Sequence, residues 1–213
     1  MKLPFSIEQF LRVFVTYNQS VWPLQIVFNL FAILCIYFAY RNSKHSGKII
    51  SSILAFFWLW MGIVYHITFF SQINKAAYVF GIIFIIQALL IIYYGLAKQK
   101  LDFTFERNIY SYTGITLIIF ALIIYPVLGY FFGHVYPMSP TFGLPCPTTI
   151  FTLGILLFLK GKIPIKLLVI PVIWSLIGFT AALQLGIYED TGLLVSGIVT
   201  AFFAIKKNHN QKV

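Results

Sequence analysis

The reactive side chains of this sequence stand at the ends of long apolar runs. His66 closes one run, His134 follows another, Cys146 opens a third, and the pair Glu189 and Asp190 separates the last two. Imidazole, thiolate and carboxylate groups together are ligands for zinc or copper. The same groups also suit recognition of a polar small molecule. Their types therefore predict binding or metal chemistry, provided that the fold brings them together.

The interpretation as metal chemistry has no support from known sequence signatures of metal sites or active sites. The chain carries no His-x-x-x-His pair, no paired cysteines and no Gly-x-Ser-x-Gly turn. The candidate metal ligands are His66, His134 and Cys146, with Glu189 as a carboxylate partner, and they come from four distant segments. We assign no catalytic residue, and the cofactor, if any, is unknown. The sequence favours a protein that is not an enzyme.

The segment before Cys146 is unusual because proline and glycine are dense in it. Residues 132–147 contain Pro137, Pro140, Pro145, Pro147, Gly133 and Gly143. This composition prevents a regular helix. We expect residues 139–147 to dip partway into a membrane, which is tolerated only where irregular backbone is buried by protein or lines a wet cavity. Thr148 would then lie at a helix amino terminus, where free N–H groups favour an anion.

The elements that position these residues are membrane helices. The 213 residues are 60% hydrophobic and only 9% charged, with a mean hydropathy of +0.91, whereas soluble domains carry about 25% charged residues. In lipid, every backbone polar group must be satisfied internally, which leaves helices or closed barrels. The apolar runs are continuous and do not alternate with period two, so they predict helices.

Seven spans are predicted, and together they form a single membrane domain over residues 1–213. Residues 1–16 read as an amphipathic segment on the membrane surface. The spans lie near 21–40, 49–70, 77–97, 109–131, 146–159, 167–185 and 191–205. The fifth and seventh are short against the roughly 20 residues that a crossing needs. A six-span version would omit one of these two.

The basic residues of the chain predict its orientation. Twelve of the 15 Lys and Arg residues follow spans one, three, five and seven, and the exceptions are Lys2, Arg12 and Lys75. The positive-inside rule makes the crowded side cytoplasmic. The amino terminus is therefore predicted outside and the carboxyl terminus inside. Because the formal charge of +10 sits in short loops between spans, it indicates orientation and does not predict a nucleic-acid partner.

This orientation gathers the polar candidates on the outer side. We predict an outward-facing polar recess for a small molecule. Its members are Tyr17, Asn18, Trp22, His66, Asn74, His134, Thr141, Cys146, Thr148, Glu189 and Asp190. Each also has a plainer interpretation. The histidines can be interfacial hydrogen-bonders, Cys146 a small buried residue, and the two carboxylates favourable charges at the amino terminus of the last span.

Three segments of the chain resemble a known family. They read YHITFFSQIN from Tyr65, TFGLPCPTTIFT from Thr141 and GIYEDTGLL from Gly186. They are similar to small bacterial multi-pass inner-membrane proteins of unknown function, some loosely labelled permeases. The similarity extends over nearly the whole chain from the Tyr17–Pro23 stretch onward. It implies a bacterial inner (plasma) membrane and supplies no activity.

Three functions stay open on the sequence alone. The first is a small-molecule permease or solute-binding protein that uses the predicted recess. The second is a membrane-embedded enzyme or metal-binding protein that uses His66, His134, Cys146 and Glu189. The third is a structural or sensory subunit of a membrane assembly. The one partner common to all three is the lipid bilayer, and the sequence leaves the oligomeric state undefined.

Overall fold

The computed structural model describes residues 4–211 as a bundle of helices. Within these residues, six helical segments are long and apolar enough to cross a membrane: Leu24–Arg41, Ser46–Gln72, Ala77–Ala97, Ile109–Phe131, Ile165–Leu185 and Tyr188–Asn210. The prediction of an all-helical, multi-pass membrane bundle is confirmed. Residues 1–3 of the predicted amphipathic segment, and Lys212 of the basic set, lie outside the described residues.

The α-helices of the described chain are numbered in order. They are α1 (Ile7–Val21), α2 (Leu24–Arg41), α3 (Ser46–Trp60), α4 (Ala77–Ile92), α5 (Ile109–Ile119), α6 (Tyr125–Phe131), α7 (Pro145–Leu156), α8 (Ile165–Leu185) and α9 (Thr191–Asn210). Wider π-helical turns extend three of them. These turns cover Met61–Phe69 after α3, Tyr93–Ala97 after α4 and Phe120–Ile124 between α5 and α6.

Helix α1 is amphipathic and ends at Val21, beyond residue 16, where the predicted amphipathic segment ends. A capping box begins it, in which Ser6 and Gln9 bond each other's backbone N–H groups. Its buried face continues from Val13 through Tyr17 to Val21. The helix ends there because the residue before a proline, here Trp22 before Pro23, is disfavoured in the α conformation.

The bundle has two chemically different ends. Residues 41–48, 98–107, 159–166 and 206–208 form the basic end. These segments meet there, since Lys160 N–H donates to Asp102 O at 2.8 Å, Thr104 Oγ1 donates to Asn42 Oδ1 at 3.1 Å and Asn208 Nδ2 donates to Ile163 O at 2.8 Å. We call the opposite end, formed by residues 16–23, 66–76, 132–147 and 186–190, the distal end. The basic loops that the sequence assigned to one side therefore do come together.

Helix α7 occupies the centre of the bundle and is shorter than a full span. Its 12 residues cover about 18 Å at about 1.5 Å per residue. It starts at the distal end, and the backbone just beyond it reaches the basic end, where Lys207 Nζ donates to Leu159 O. The chain thus passes between the two ends seven times. The predicted fifth span, 146–159, is the one pass that lacks the length of a membrane-crossing helix.

A short helix is stable at this place because protein surrounds it on every side. All residues of α7 except Cys146 are buried. Its backbone lies directly against α5, since a Cβ added to Gly154 would fall 2.7 Å from Gly114 O. Trp58 Nε1 of α3 donates to Thr152 Oγ1 at 3.1 Å from another side. Backbone at its carboxyl end is also satisfied by protein, as a membrane interior requires, since Leu157 N–H donates to Gly154 O at 3.2 Å and Leu159 O accepts from Lys207 Nζ.

Candidate functional site

The candidate site is built around the π-helical segment Met61–Phe69. A π turn holds more residues than an α turn, and such turns occur frequently at functional sites. The segment packs tightly on α4, because a Cβ added to Gly62 would lie 2.8 Å from Gly81 O. The widened turns leave both Tyr65 and His66 buried. This segment thus turns a histidine toward the protein interior.

His66 lies in a box of aromatic rings. Its ring centroid is 4.6 Å from that of Phe84, 5.1 Å from Trp174 and 5.8 Å from Phe80. The side chain is fully buried, and within residues 4–211 neither Nδ1 nor Nε2 has a hydrogen-bond partner. Buried polar atoms are nearly always paired. A buried imidazole with two unpaired nitrogens therefore points to a partner outside the described protein.

A cavity of about 490 Å³ adjoins His66 at the distal end. Its walls come from α1, the π segment, α4, the loop before α7, the first turn of α7, α8 and the turn before α9. The lining residues are Pro4, Phe5, Phe10, Phe14, Tyr65, His66, Phe70, Asn74, Phe80, Pro140, Leu144, Pro145, Cys146, Trp174, Ile177, Gly178, Thr180, Ala181, Ala182, Gln184, Leu185, Ile187 and Asp190. Most of these side chains are apolar, whereas the sequence predicted a polar recess.

The cavity is deep. Along α8 it extends from Leu185, the last residue of the helix, to Trp174 near its middle. That distance of eleven positions corresponds to about 16 Å at about 1.5 Å per residue. The cavity therefore extends from the distal end to about halfway through the bundle. The aromatic box of His66 lies in the part of the cavity nearest the middle of the bundle.

Cys146 and Trp174 meet at Gly178 on the cavity wall. A Cβ added to Gly178 would lie 3.6 Å from Trp174 Nε1 and 3.7 Å from Cys146 Sγ. Trp174 Nε1 is a further buried donor that has no oxygen or nitrogen partner in the described chain, and the sulfur of Cys146 is its neighbour. Cys35, the second cysteine, is buried in α2, and both thiols are free. A thiol and an indole N–H thus border the same space as His66.

Asp190 lies at the edge of the cavity, where α9 begins. Tyr125 donates its hydroxyl proton to Asp190 Oδ1 at 2.5 Å. Asp190 is the residue that precedes α9, but its side chain makes no capping hydrogen bond to that helix. The interpretation of Asp190 as a favourable charge at this helix terminus is therefore not accompanied by a capping hydrogen bond, and the carboxylate accepts from Tyr125 instead.

Glu189 and His134 form a separate pair beside the cavity. His134 Nδ1 lies 2.9 Å from Glu189 Oε1. The second oxygen, Glu189 Oε2, is buried without a partner within residues 4–211. Gly129 of α6 leaves room for the pair, because a Cβ there would lie 3.1 Å from Glu189 Oε1. This pair fastens the loop after α6 to the turn before α9 and does not line the cavity.

Asn18 holds the loop at residues 136–141 in place. Its amide group donates to Pro137 O at 2.7 Å and Ser139 O at 2.8 Å, and accepts from Thr141 Oγ1 at 2.7 Å. Tyr17 extends the same attachment, because its hydroxyl donates to Gly143 O at 3.3 Å and accepts from Trp60 Nε1 at 2.8 Å. Burial raises the pKa of Tyr17 well above its usual range, so the phenol stays a neutral donor.

Two more of the predicted residues, Thr148 and Trp22, contact this loop and do not line the cavity. Thr148 Oγ1 accepts from Gly143 N–H at 3.0 Å, which joins the loop to the first turn of α7. Trp22 is exposed and packs edge-on against Tyr136, with ring centroids 6.4 Å apart. The loop attached by Asn18 forms part of the cavity wall through Pro140 and Leu144.

The predicted recess thus divides into two groups. His66, Asn74, Cys146 and Asp190 line one cavity. The other seven predicted residues, Tyr17, Asn18, Trp22, His134, Thr141, Thr148 and Glu189, are absent from its lining and act in the attachments described above. Three of the candidate metal ligands, His66, His134 and Cys146, do not form one site. Within residues 4–211 no three His, Cys, Asp or Glu side chains come close enough to hold a metal ion.

The aromatic walls of the cavity were not predicted from the sequence. Trp174 and Phe80 stand inside continuous apolar runs, where no change of composition marks them. The phenylalanines of α1 left a stronger signal, because Phe10 and Phe14 recur at helical spacing on its apolar face. That pattern indicates burial, but it does not reveal which surface the face covers.

Comparison with known proteins establishes a family for this chain. A family model matches residues 7–213. The chain belongs to DUF6064, a family of unknown function. No match is found among curated proteins, and none among solved structures. Membership in DUF6064 agrees with the sequence resemblance to an uncharacterised family and brings no activity with it.

Proposed function

We propose that this membrane protein binds a small, largely apolar molecule in the distal cavity. The observation that carries the proposal is His66, which is fully buried, lines the cavity and has no protein partner for either ring nitrogen within residues 4–211. The cavity volume of about 490 Å³ falls within the range of ligand pockets, roughly 300–1,000 Å³. Such pockets are typically apolar with a few polar groups that fix orientation.

The polar groups in the lining define what the ligand must offer. A neutral imidazole supplies one donor and one acceptor, and Trp174 supplies an N–H donor. Aromatic side chains surround these groups and favour a flat or branched apolar body. A ligand with a ring-sized apolar part and one polar substituent satisfies both requirements.

We further propose that the cavity faces the outside of a bacterial inner membrane. The support is the concentration of Lys and Arg residues at the basic end, which the positive-inside rule makes cytoplasmic. The sequence resemblance supports the bacterial membrane. The ligand would then reach the cavity from the outer side or from the outer leaflet.

Transport is a second candidate, and helix α7 favours it. This helix is short, central and flanked by irregular backbone at residues 133–144 and 157–164. Transporter folds use such discontinuous helices at their binding sites. Transport would need the same cavity to open alternately toward the basic end. Labelling of Cys146 from both sides of the membrane would support transport, and labelling from one side alone would favour binding.

The test compares what co-purifies with two tryptophan variants on α8. Ala181 lines the cavity, so Ala181→Trp fills it. Leu183 lies on the same helix, is 53% exposed and is absent from the lining, so Leu183→Trp is the matched control. Purified wild-type protein and both variants are extracted with organic solvent and analysed by mass spectrometry.

The proposal predicts a small molecule in the extracts of the wild type and of Leu183→Trp that is depleted at least tenfold in Ala181→Trp. Equal amounts of every extracted molecule in the three proteins would count against binding in this cavity. Circular dichroism and gel filtration establish that each variant retains its fold.

A further inference from the structure

The charge in the cavity lining is negative only. Among the lining residues that belong to the described range 4–211, Asp190 carries the single acidic side chain, and no Lys or Arg is present. The described chain also places no Lys, Arg or His nitrogen within ion-pair distance of Asp190, because its ion pairs are Glu8 with Arg12 and Glu189 with His134. The protein between residues 4 and 211 therefore supplies no counter-charge to this carboxylate.

A carboxylate in this position needs a partner. Asp190 is buried, and the two groups that donate to it, the Tyr125 hydroxyl and the Cys146 thiol, are uncharged. Burial of a charged group away from water is costly unless the charge is paired. A ligand that brings a positive charge into the cavity would remove this cost, whereas an anionic ligand would add to it.

The walls of the cavity favour the same kind of ligand. Seven aromatic side chains contribute to the lining: Phe5, Phe10, Phe14, Tyr65, Phe70, Phe80 and Trp174. The faces of aromatic rings attract cations, most strongly for Trp, and recognition of quaternary ammonium groups by aromatic cages is a known use of this attraction. An aromatic enclosure with one carboxylate is therefore complementary to an organic cation.

The side of the cavity formed by α8 suggests how such a ligand enters. Ile177, Thr180 and Gln184 line the cavity and are also exposed on the surface of the helix. They lie between the middle of α8 and its distal end, a part of the bundle that faces lipid in a membrane. A ligand dissolved in the bilayer can therefore reach the cavity sideways.

We infer that the ligand is a lipophilic organic cation, an amine or quaternary ammonium group on an apolar body. The cationic group lies at Asp190 and the apolar body lies among the aromatic rings near His66. This inference rests on the proposed binding function and adds the chemical class of the ligand.

Protection of Cys146 from alkylation tests the inference. Full-length protein in phosphatidylcholine nanodiscs is treated with N-ethylmaleimide, and modification of Cys146 is followed by mass spectrometry of its peptide. The probes are benzyltrimethylammonium, its uncharged isostere neopentylbenzene, and the anion benzylsulfonate. Each rate is divided by the rate of the same protein without probe, since changes near Cys146 alter its intrinsic reactivity.

Two variants separate the role of Asp190 from a general effect of negative charge. Asp190→Asn keeps the shape of the side chain and removes its charge. Asp102→Asn makes the same change at the basic end, where the carboxylate accepts from Thr104 Oγ1. Both variants are measured with all three probes. The comparison among probes in the wild type needs no variant, so it stands even if Asp190→Asn does not fold.

The expected result is protection by the cation at a concentration at least tenfold lower than by the neutral isostere, with no protection by the anion. Asp190→Asn should remove that tenfold preference, and Asp102→Asn should retain it. Equal or better protection by neopentylbenzene in the wild type would overturn the ligand class and leave the proposed binding function standing. Absence of protection by all three probes would contradict both.

Discussion

His66 combines two properties that rarely occur together in a protein core. It is fully buried, and neither ring nitrogen is paired within the described residues. A buried polar group without a partner costs about 1–3 kcal/mol. The surrounding rings of Phe80, Phe84 and Trp174 would accept an aromatic side chain of similar shape at this position. Stability should therefore favour an apolar aromatic side chain at position 66, whereas ligand binding should favour the polar nitrogens of His66.

Replacement of His66 by phenylalanine tests this opposition. We expect His66→Phe to leave the free energy of unfolding unchanged or to raise it by about 1–2 kcal/mol, because the unpaired nitrogens disappear. The matched control is His134→Phe, which leaves the buried Glu189 unpaired and should destabilise the protein by about 1–3 kcal/mol. Thermal and denaturant unfolding of the purified, ligand-free proteins measures both changes. A clear loss of stability in His66→Phe would show that His66 has a structural partner.

The sequence identified some of these residues and misassigned others for a physical reason. His66, Asn74, Cys146 and Asp190 stood out because polar residues are rare in so apolar a chain, and they do line one cavity. Asn18 and Thr141 stood out equally, but they bond to each other. Residue type alone cannot distinguish a polar group that faces a ligand from one that a distant segment already satisfies.

At the scale of elements, hydropathy located the helices but did not determine their lengths or their turns. The last span, predicted at 191–205, extends over Tyr188–Asn210, because its polar carboxyl-terminal turns continue the helix beyond the apolar run. The π-helical segment Met61–Phe69 has the composition of an ordinary apolar helix. Its wider turns depend on packing against α4, so no sequence pattern predicted them.

Helix α7 illustrates an element whose packing depends on a close backbone contact at a glycine. The close contact of Gly154 with Gly114 O lets the backbones of α7 and α5 touch. We expect Gly154→Ala to force these helices apart and to lower the free energy of unfolding by about 1–3 kcal/mol. Gly161→Ala is the matched control, since a Cβ added there meets nothing within 4 Å. Equal melting temperatures of the two variants in the same detergent would contradict the tight contact.

At the scale of the whole molecule, the two ends of the bundle differ in both charge and structure. The basic end combines the Lys and Arg loops with the carboxyl end of α7, and the distal end holds the cavity. The positive-inside rule predicted this separation from the sequence because it depends only on the order of charges and spans. The cavity could not be predicted in the same way, because it is formed by side chains from helices that are far apart in the chain.

Cysteine labelling in intact cells tests the proposed orientation. Lys75 and Lys160 are both exposed, at the distal and the basic end respectively. In a background of Cys35→Ala and Cys146→Ala, we expect a membrane-impermeant maleimide to label Lys75→Cys in intact cells. Lys160→Cys should react only after permeabilisation, because the basic end is cytoplasmic under the positive-inside rule. The reverse pattern would show that the protein is inserted the other way.

The most direct measurement is the alkylation rate of Cys146 in membranes containing wild-type protein or one of the two α8 variants. The central claim is that small molecules enter the space that Cys146 shares with His66. It predicts that N-ethylmaleimide modifies Cys146 in the wild type and in Leu183→Trp at the same rate, and at least ten times more slowly in Ala181→Trp. Buried Cys35 should stay unmodified in all three. An unreactive Cys146 in the wild type, or an equal rate in Ala181→Trp, would contradict the claim.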